Sequence, residues 1–310
     1  MPPQINQSMT PLQWAALLAL GVLWGGSFFF IGVAIKELPP ITLVTVRLNL
    51  AAILLYAFAR ARGVDMPRGR AWLGFAWLGV LNNVIPFCLF AWSQTHITGG
   101  LASILNATTP LFTVVVAHVL TRDEKMTPGH IAGAAIGLLG VAAMIGSEFD
   151  SVFSGNVLAQ LACLVASLSY AFAAVYGRRF AGVPPLAAAT AQLTTASIIL
   201  VPIMLATDRP WALAMPSNDV LAAMAVLVVF CSGVAYVLYF HILATAGATN
   251  VGLVTFLNPI TAIILGAVFL GEQLQPAHIA GMAVIGIGLA FIDGRPLRAL
   301  KSRSPTSQSR

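Results

Sequence analysis

The sequence has 310 residues, of which 58% are hydrophobic and only 8% are charged. Soluble domains carry about 25% charged residues, so this composition excludes a protein whose whole surface faces water. The net charge of +6 does not indicate nucleic-acid binding, because the basic residues are not interleaved with clustered aromatic residues. A lipid bilayer is therefore the expected surroundings of most of the chain.

Apolar runs of about 20 residues follow one another along the chain and predict an all-α integral membrane protein. The ten predicted spans are residues 12–35, 40–59, 71–93, 98–120, 129–147, 155–176, 185–206, 219–241, 247–270 and 276–293. The first run is too long for a cleavable signal peptide, so it is expected to remain as the first span. Residues 294–310 form a basic, Ser-rich tail that is expected to be disordered and cytoplasmic.

The sixteen Lys and Arg residues are distributed unevenly between the two sets of alternate loops. If the loop between the first two spans is loop 1, thirteen of these residues lie in the even-numbered loops or the tail. Only Lys36 and Arg209 lie in the odd-numbered loops, and Arg47 lies within a span. Positively charged loops stay in the cytoplasm, so this asymmetry predicts that both termini are cytoplasmic.

One motif occurs twice, at residues 124–140 (EKMTPGHIAGAAIGLLG) and at 272–288 (EQLQPAHIAGMAVIGIG). Eight of the seventeen aligned positions are identical. Because the first repeat contains five spans, an odd number, the second copy is expected to enter the membrane upside down. The sequence therefore predicts two inverted repeats of five helices, 12–147 and 155–293, an arrangement typical of alternating-access carriers.

Several segments resemble the ten-helix EamA-like branch of the drug/metabolite transporter superfamily. They are LWGGSF at residues 23–28, the segment from Pro39 to Arg47, the segment from Ala102 through Pro110 to Glu124, and its counterpart from Val251 through Pro259 to Glu272. The resemblance implies an inner-membrane exporter or exchanger of small metabolites. Relatives of this fold carry amino acids, nucleotide sugars, sugar phosphates and drugs, so the resemblance leaves the solute open.

A carrier built from inverted repeats holds its solute near the membrane midplane, where the repeats meet. Asn83, Phe87 and Phe90 recur at helical spacing on one face of the third span. An offset of 149 residues, which aligns Pro110 with Pro259, maps this stripe onto the eighth span at Ser232, Tyr236 and Tyr239. The stripes predict a solute pocket; ordinary aromatic packing between helices is the alternative.

Prolines occupy the middle of the fourth and ninth predicted spans. Pro110 and Pro259 each remove a backbone hydrogen bond, which predicts a hinge, although a tolerated kink is the alternative interpretation. The nearby amides of Asn106 and Asn258 are candidates for satisfying the freed backbone groups or for meeting a solute.

Arg47 is a permanent charge inside a predicted span, where an unrewarded arginine costs about 2.5–3.5 kcal/mol. Alignment of the two double-proline segments pairs it with Gln192. Arg47 could bind a carboxylate or phosphate of the solute, or it could bind helix-end carbonyls. Trp24, Ser27 and Tyr170 are further candidates for the pocket wall, with close helix packing as their alternative role.

The motifs of an enzyme are missing from the sequence. It contains no GxSxG, no HExxH, no paired intramembrane carboxylates and no Cys/His grouping, so neither an enzyme nor a cofactor or metal is expected. A flippase for lipid-linked substrates, a channel and an intramembrane enzyme are the alternatives to a carrier. The expected partners are a small solute and the bilayer, with the chain as a monomer or a homodimer.

Overall fold

The computed structural model of this chain describes residues 10–121, 128–146, 155–180, 182–246, 254–273 and 276–293. In these ranges the backbone is helical apart from short turns, and no strand occurs. The predicted all-α class is confirmed. Glu124 of the first motif copy and the predicted tail 294–310 lie outside the described residues.

Helices occur at each of the ten positions where the sequence predicts a span. Numbered along the described part of the chain, they are α1 (Pro11–Ala34), α2 (Pro40–Ala61), α3 (Ala71–Ser93), α4 (Gly99–Leu120), α5 (Pro128–Gly146), α6 (Gly155–Gly177), α7 (Pro185–Thr207), α8 (Asn218–Val228 with Val229–Val234 and Ala235–Ala246), α9 (Val254–Leu265 with Gly266–Leu270) and α10 (Pro276–Asp293).

Seven helices, counted over the described residues, are long and apolar enough to cross a membrane: α1 to α4 and α6 to α8. Helices α5, α9 and α10 contain shorter apolar stretches. Large apolar side chains stand on the outer surface; Ile53, Leu73 and Ile198 are each more than 60% exposed. Apolar surface of this extent suits lipid rather than water. The chain is a multi-pass membrane protein.

Local sequence signals fix several helix ends. Thr10 and Gln13 form a capping box at the start of α1, with each side chain accepting a hydrogen bond from the other residue's backbone N–H. The hydroxyls of Thr98 and Ser217 accept hydrogen bonds from the first turns of α4 and α8. Gly271 ends α9 with φ of 66°, a left-handed conformation that glycine adopts without steric cost.

Helices α3 and α8 each contain a π-helical segment, at Val80–Val84 and Val229–Val234. The two segments begin 149 residues apart, which is the offset that aligns Pro110 with Pro259. A π turn has a wider hydrogen-bonding pattern than an α turn and rotates the side chains that follow it, and such turns are frequent at functional sites. Asn83 and Ser232 lie in these segments.

The two predicted hinge prolines differ in their structures. At Pro110, α4 is interrupted: Gly99–Asn106 ends before a turn, and Pro110 lies in the first turn of Thr109–Leu120. The hydroxyl of Thr109 donates a 2.8 Å hydrogen bond to the Asn106 carbonyl near this break. Pro259, by contrast, lies inside the continuous helical segment Val254–Leu265.

Helices α5 and α10 carry the two motif copies and pack directly against each other. A β-carbon on Gly140 would lie 2.9 Å from the Gly281 carbonyl oxygen, and one on Gly288 would lie 2.5 Å from that of Gly133. Residue numbers rise along one helix as they fall along the other, so the pair is antiparallel. Backbones this close require glycine on both helices.

The remaining packing joins helices before residue 147 (the N-terminal half) to helices after residue 154 (the C-terminal half). Helix α2 packs along α7, α1 along α9, and α4 along α6. Helices α1 and α9 are parallel, because β-carbons on Gly21, Gly25 and Gly26 would meet Leu257, Asn258 and Leu265 in turn.

Three carboxylates, which we term the carboxylate clasps, bind helix N-termini across the two halves. They are Glu37 with the N–H (2.7 Å) and hydroxyl (2.6 Å) of Ser217, Asp208 with the N–H and hydroxyl of Thr42 (both 2.8 Å), and Glu272 with the N–H groups of Gly99 (3.0 Å) and Gly100 (3.2 Å). Negative charge at a helix N-terminus is stabilising. Since α1 and α9 are parallel, all three clasps lie at the same end of the molecule.

Candidate functional site

A cavity of about 650 Å³ lies between the two halves. Its wall is formed by residues of α1 to α4 from the N-terminal half and of α6 to α9 from the C-terminal half. The cavity extends from the centre of the helices to the end of α6 and the start of α7, at Arg178, Val183 and Pro185. This volume is within the roughly 300–1,000 Å³ of small-molecule sites.

Most of the residues that the sequence predicts for the pocket meet at this cavity. The predicted residues on its wall are Trp24, Ser27, Arg47, Phe87, Phe90, Asn106, Tyr170, Gln192, Tyr236, Tyr239 and Asn258. The two others, Asn83 and Ser232, are buried outside the wall. Asn83 is hydrogen-bonded to Tyr236 and Ser232 to Arg47, which are both wall residues. The hinge candidates Pro110 and Pro259 are not on the wall, although each neighbours a residue that is.

Arg47 extends from α2 to the cavity and is 5% exposed. Its Nε–H donates a 3.0 Å hydrogen bond to the Ser232 hydroxyl in α8. Its guanidinium carbon lies 4.8 Å from the centre of the Phe87 ring, a cation–π contact. These contacts fix the guanidinium group between one residue of each predicted stripe.

Asn83 joins the same two helices. Its side-chain amide donates a 3.2 Å hydrogen bond to the Tyr236 hydroxyl, and its side-chain oxygen has no hydrogen-bond partner among the described residues. Because Asn83 is fully buried, this contact orients Tyr236, which lies on the cavity wall. The π-helical segments of α3 and α8 thus supply the polar groups that hold Arg47 and Tyr236 in place.

Aromatic rings cover much of the cavity wall. Trp24 contacts Tyr239 with ring centres 5.5 Å apart, and Phe90 lies between Phe28 at 5.6 Å and Tyr170 at 6.2 Å. These distances are typical of favourable aromatic pairs. The contacts connect α1 with α3 and α8, and α3 with α6, so the wall crosses both halves.

Neutral polar groups complete the wall. The Asn82 amide donates a 3.2 Å hydrogen bond to the Gln192 side-chain oxygen, which joins α3 to α7. The side-chain oxygen of buried Asn258 has no hydrogen-bond partner among the described residues, and Asn258 lines the cavity. Asn258 therefore holds a buried, unused acceptor next to the cavity.

The sequence prediction missed several wall residues, among them Phe28, Asn82 and Arg178. Asn82 lies off the stripe that α-helical periodicity assigns to Asn83, but the π-helical segment changes that periodicity locally. Arg178 follows α6 in a short 3₁₀ turn, where helical periodicity gives no orientation. The described residues contain no group of His, Cys, Asp and Glu that could hold a metal ion.

Comparison with known proteins identifies the family. The sequence profile of the EamA-like transporter family matches residues 12–146 and again 157–293. The chain belongs to the EamA-like transporter family. The resemblance inferred from the sequence motifs is confirmed, and this EamA-like chain is a membrane transporter.

Individual relatives extend over nearly the whole EamA-like chain. The inner membrane transporter YedA of Escherichia coli K12 is 29% identical over 289 residues, which is 92% of each chain. A probable terminal-alkyne amino-acid exporter of Streptantibioticus cattleyicolor is 27% identical over 285 residues, covering 92% of this chain and 94% of the relative. A solved crystal structure matches with a TM-score of 0.66 at 19% identity, over 90% of this chain and 96% of that chain, which supports the fold alone.

Proposed function

We propose that this transporter exports small metabolites, either amino-acid-like or drug-like solutes, by alternating access at the central cavity. The observation that carries the proposal is that residues predicted from equivalent stripes of the two halves line one cavity, including Phe87 and Phe90 opposite Tyr236 and Tyr239. The amino-acid exporter among the relatives supports this choice of solute and direction.

The proposed architecture is ten spans in two inverted repeats, 12–147 and 155–293. The motif alignment pairs Gly133 with Gly281 and Gly140 with Gly288. If each glycine is replaced by its aligned partner, the contact between Gly140 and Gly281 becomes the contact between Gly288 and Gly133, and both contacts are present. Two antiparallel helices with such reciprocal contacts are expected where a two-fold axis lies in the membrane plane between them. The π-helical segments of α3 and α8 obey nearly the same offset.

The proposed orientation has both termini in the cytoplasm, from the distribution of Lys and Arg. The clasped helix ends then face outward, whereas the cavity reaches the cytoplasmic end through Arg178 and Val183. In the proposed orientation, this arrangement is a state that the carboxylate clasps close to the outside and that is open to the inside. Breaking the clasps and closing the cytoplasmic end would give the opposite state.

Cysteine labelling tests alternating access without knowledge of the solute. In a variant whose three native cysteines are replaced by alanine, Ser27→Cys supplies one thiol in the cavity wall. A membrane-impermeant maleimide is applied to intact cells and, separately, to inside-out vesicles. A carrier exposes this thiol to each side in turn, so labelling is expected in both preparations.

A cysteine pair added to this variant separates a carrier from a channel and from a static cavity. Glu37→Cys and Ser217→Cys, once cross-linked, lock one carboxylate clasp. Labelling of Ser27→Cys should then fall to background in intact cells and persist in inside-out vesicles. Labelling in vesicles alone before cross-linking, or equal labelling from both sides after it, would contradict alternating access.

A further inference from the structure

Arg47 is a buried cation that has no acidic partner among the residues that the structure describes. The one ion pair among the described residues joins Arg68 to Asp65 at the surface, so no described carboxylate lies within 4.0 Å of the Arg47 guanidinium. A buried charge left unpaired is costly, since the interior does not replace the water that solvated it. We therefore expect a negatively charged group to offset the cost of burying Arg47 in the cavity wall.

The guanidinium group has donors available for such a partner. Its Nε–H is occupied by the Ser232 hydroxyl, and no other hydrogen bond joins the Arg47 side chain to a described residue. The contact with Phe87 is with an aromatic ring, which supplies no oxygen or nitrogen acceptor for the guanidinium N–H groups. A guanidinium edge with two parallel N–H donors matches the two oxygens of a carboxylate.

The rest of the wall is neutral apart from Arg178 at the cytoplasmic end. Its polar residues are hydroxyls and amides, and none of its residues is Asp or Glu. With no negative charge to balance Arg47, the centre of the cavity is electropositive. Around it, rings such as Trp24, Phe90, Tyr170 and Tyr239 offer an apolar surface to the rest of a solute.

We propose that the cavity selects small monocarboxylates with an apolar or aromatic body, and that Arg47 binds the carboxylate. This inference rests on the proposed function and names its class of solute. The carboxylate pairs with the free edge of the guanidinium, and the body lies against the aromatic wall. A single central cation suits one negative charge better than the two charges of a phosphate monoester.

Three ligands of matched shape test the charge preference on the intact wild-type protein. They are 3-phenylpropionate, 3-phenylpropanamide and 3-phenylpropylamine, measured by isothermal titration calorimetry with the purified protein in detergent. A charge-assisted hydrogen-bonded pair is expected to favour the carboxylate over the amide by about 10-fold in Kd. The amine should bind more weakly than the amide, because the cavity already contains an unpaired cation.

Variants assign the preference to one residue. Arg47→Gln should bring the carboxylate and amide Kd values together, and Arg47→Lys should retain part of the difference. Arg62→Gln is the matched control: Arg62 also stacks on a phenylalanine, Phe58 at 5.0 Å, but lies exposed at the end of α2. The control should keep the full wild-type preference.

The outcomes separate this inference from the proposed function. Equal binding of carboxylate and amide by the wild type, preference for the amine, or no carboxylate binding at millimolar concentration would overturn the monocarboxylate proposal. A preference that survives Arg47→Gln in folded protein would overturn the role of Arg47. None of these results affects the two-sided labelling of Ser27→Cys, which tests alternating access by itself.

Discussion

Gly288 in α10 lies directly against the backbone of Gly133 in α5: a β-carbon on Gly288 would be 2.5 Å from the Gly133 carbonyl oxygen. The neighbouring atoms are main-chain atoms, which cannot rotate out of the way as a flexible side chain could. This contact explains why the duplicated motif keeps glycine at these positions: the two motif helices touch each other through their backbones.

Replacing Gly288 with alanine should therefore destabilise the protein. Overpacking of a tight interface typically costs about 1–3 kcal/mol, and here the backbone nitrogen of Gly137 would also lie only 2.7 Å from the added β-carbon. Thermal unfolding of the purified protein in detergent measures the loss as a lower Tm. Gly286→Ala is the matched control, because no atom lies within 4 Å of its β-carbon position. Equal Tm values for the two variants would contradict the α5–α10 contact.

The contact between α1 and α9 provides a second pair of glycines, here adjacent in sequence, whose replacement by alanine should affect stability differently. A β-carbon on Gly25 would lie 2.5 Å from the Asn258 carbonyl oxygen, whereas one on Gly26 would make an ordinary 3.6 Å contact with Leu265. Gly25→Ala should lower the Tm and, by pushing α9 away, shift the cavity-lining Asn258. Gly26→Ala should leave the Tm close to wild type. The comparison fails if Gly26→Ala is the more damaging change.

Much of the fold follows from the sequence because lipid imposes simple rules. A helix must be apolar over its span and its loops carry the charge, so apolar runs locate the helices to within a few residues. The stripes of α3 and α8 were detectable because a duplicated helix keeps one face toward the cavity. Arg47 could be identified as a candidate pocket residue because an arginine within a span is costly unless it binds a partner.

Other features depend on contacts between distant segments and could not be predicted. The π-helical segment that turns Asn82 toward Gln192 has no recognised sequence signature, and neither has the break of α4 before Pro110. Glu272 begins the second motif copy, and the sequence does not indicate a partner for it in the first half. Its partners, Gly99 and Gly100, lie in the other half of the protein, and only the packed structure brings them together.

The clasp at Glu272 should contribute to closing the end of the molecule that we propose faces outward. In Glu272→Gln the side chain can accept a hydrogen bond through one oxygen only, so one N–H at the start of α4 loses its partner and the helix terminus loses a negative charge. An unsatisfied donor of this kind costs about 1–3 kcal/mol. We expect a lower Tm and faster labelling of Ser27→Cys from outside the cell. The exposed neighbour Gln273 supplies the control, since Gln273→Ala should change neither measurement.

The carboxyl group of Glu37 predicts how the clasped end of the molecule responds to pH. The pKa of its carboxyl is lowered by the hydrogen bond from the Ser217 hydroxyl and then by that from the Ser217 N–H. A carboxyl whose folded-state pKa lies below its unfolded value of about 4.3 stabilises the protein above that pH, and the stabilisation is lost as the pH falls toward the folded pKa. The Tm difference between wild type and Glu37→Gln should therefore stay constant from pH 8 to pH 5.5 and shrink in more acid solution. A difference that already declines between pH 8 and pH 6 would mean that Glu37 is protonated near neutral pH, and this clasp would then open on mild acidification instead of remaining closed.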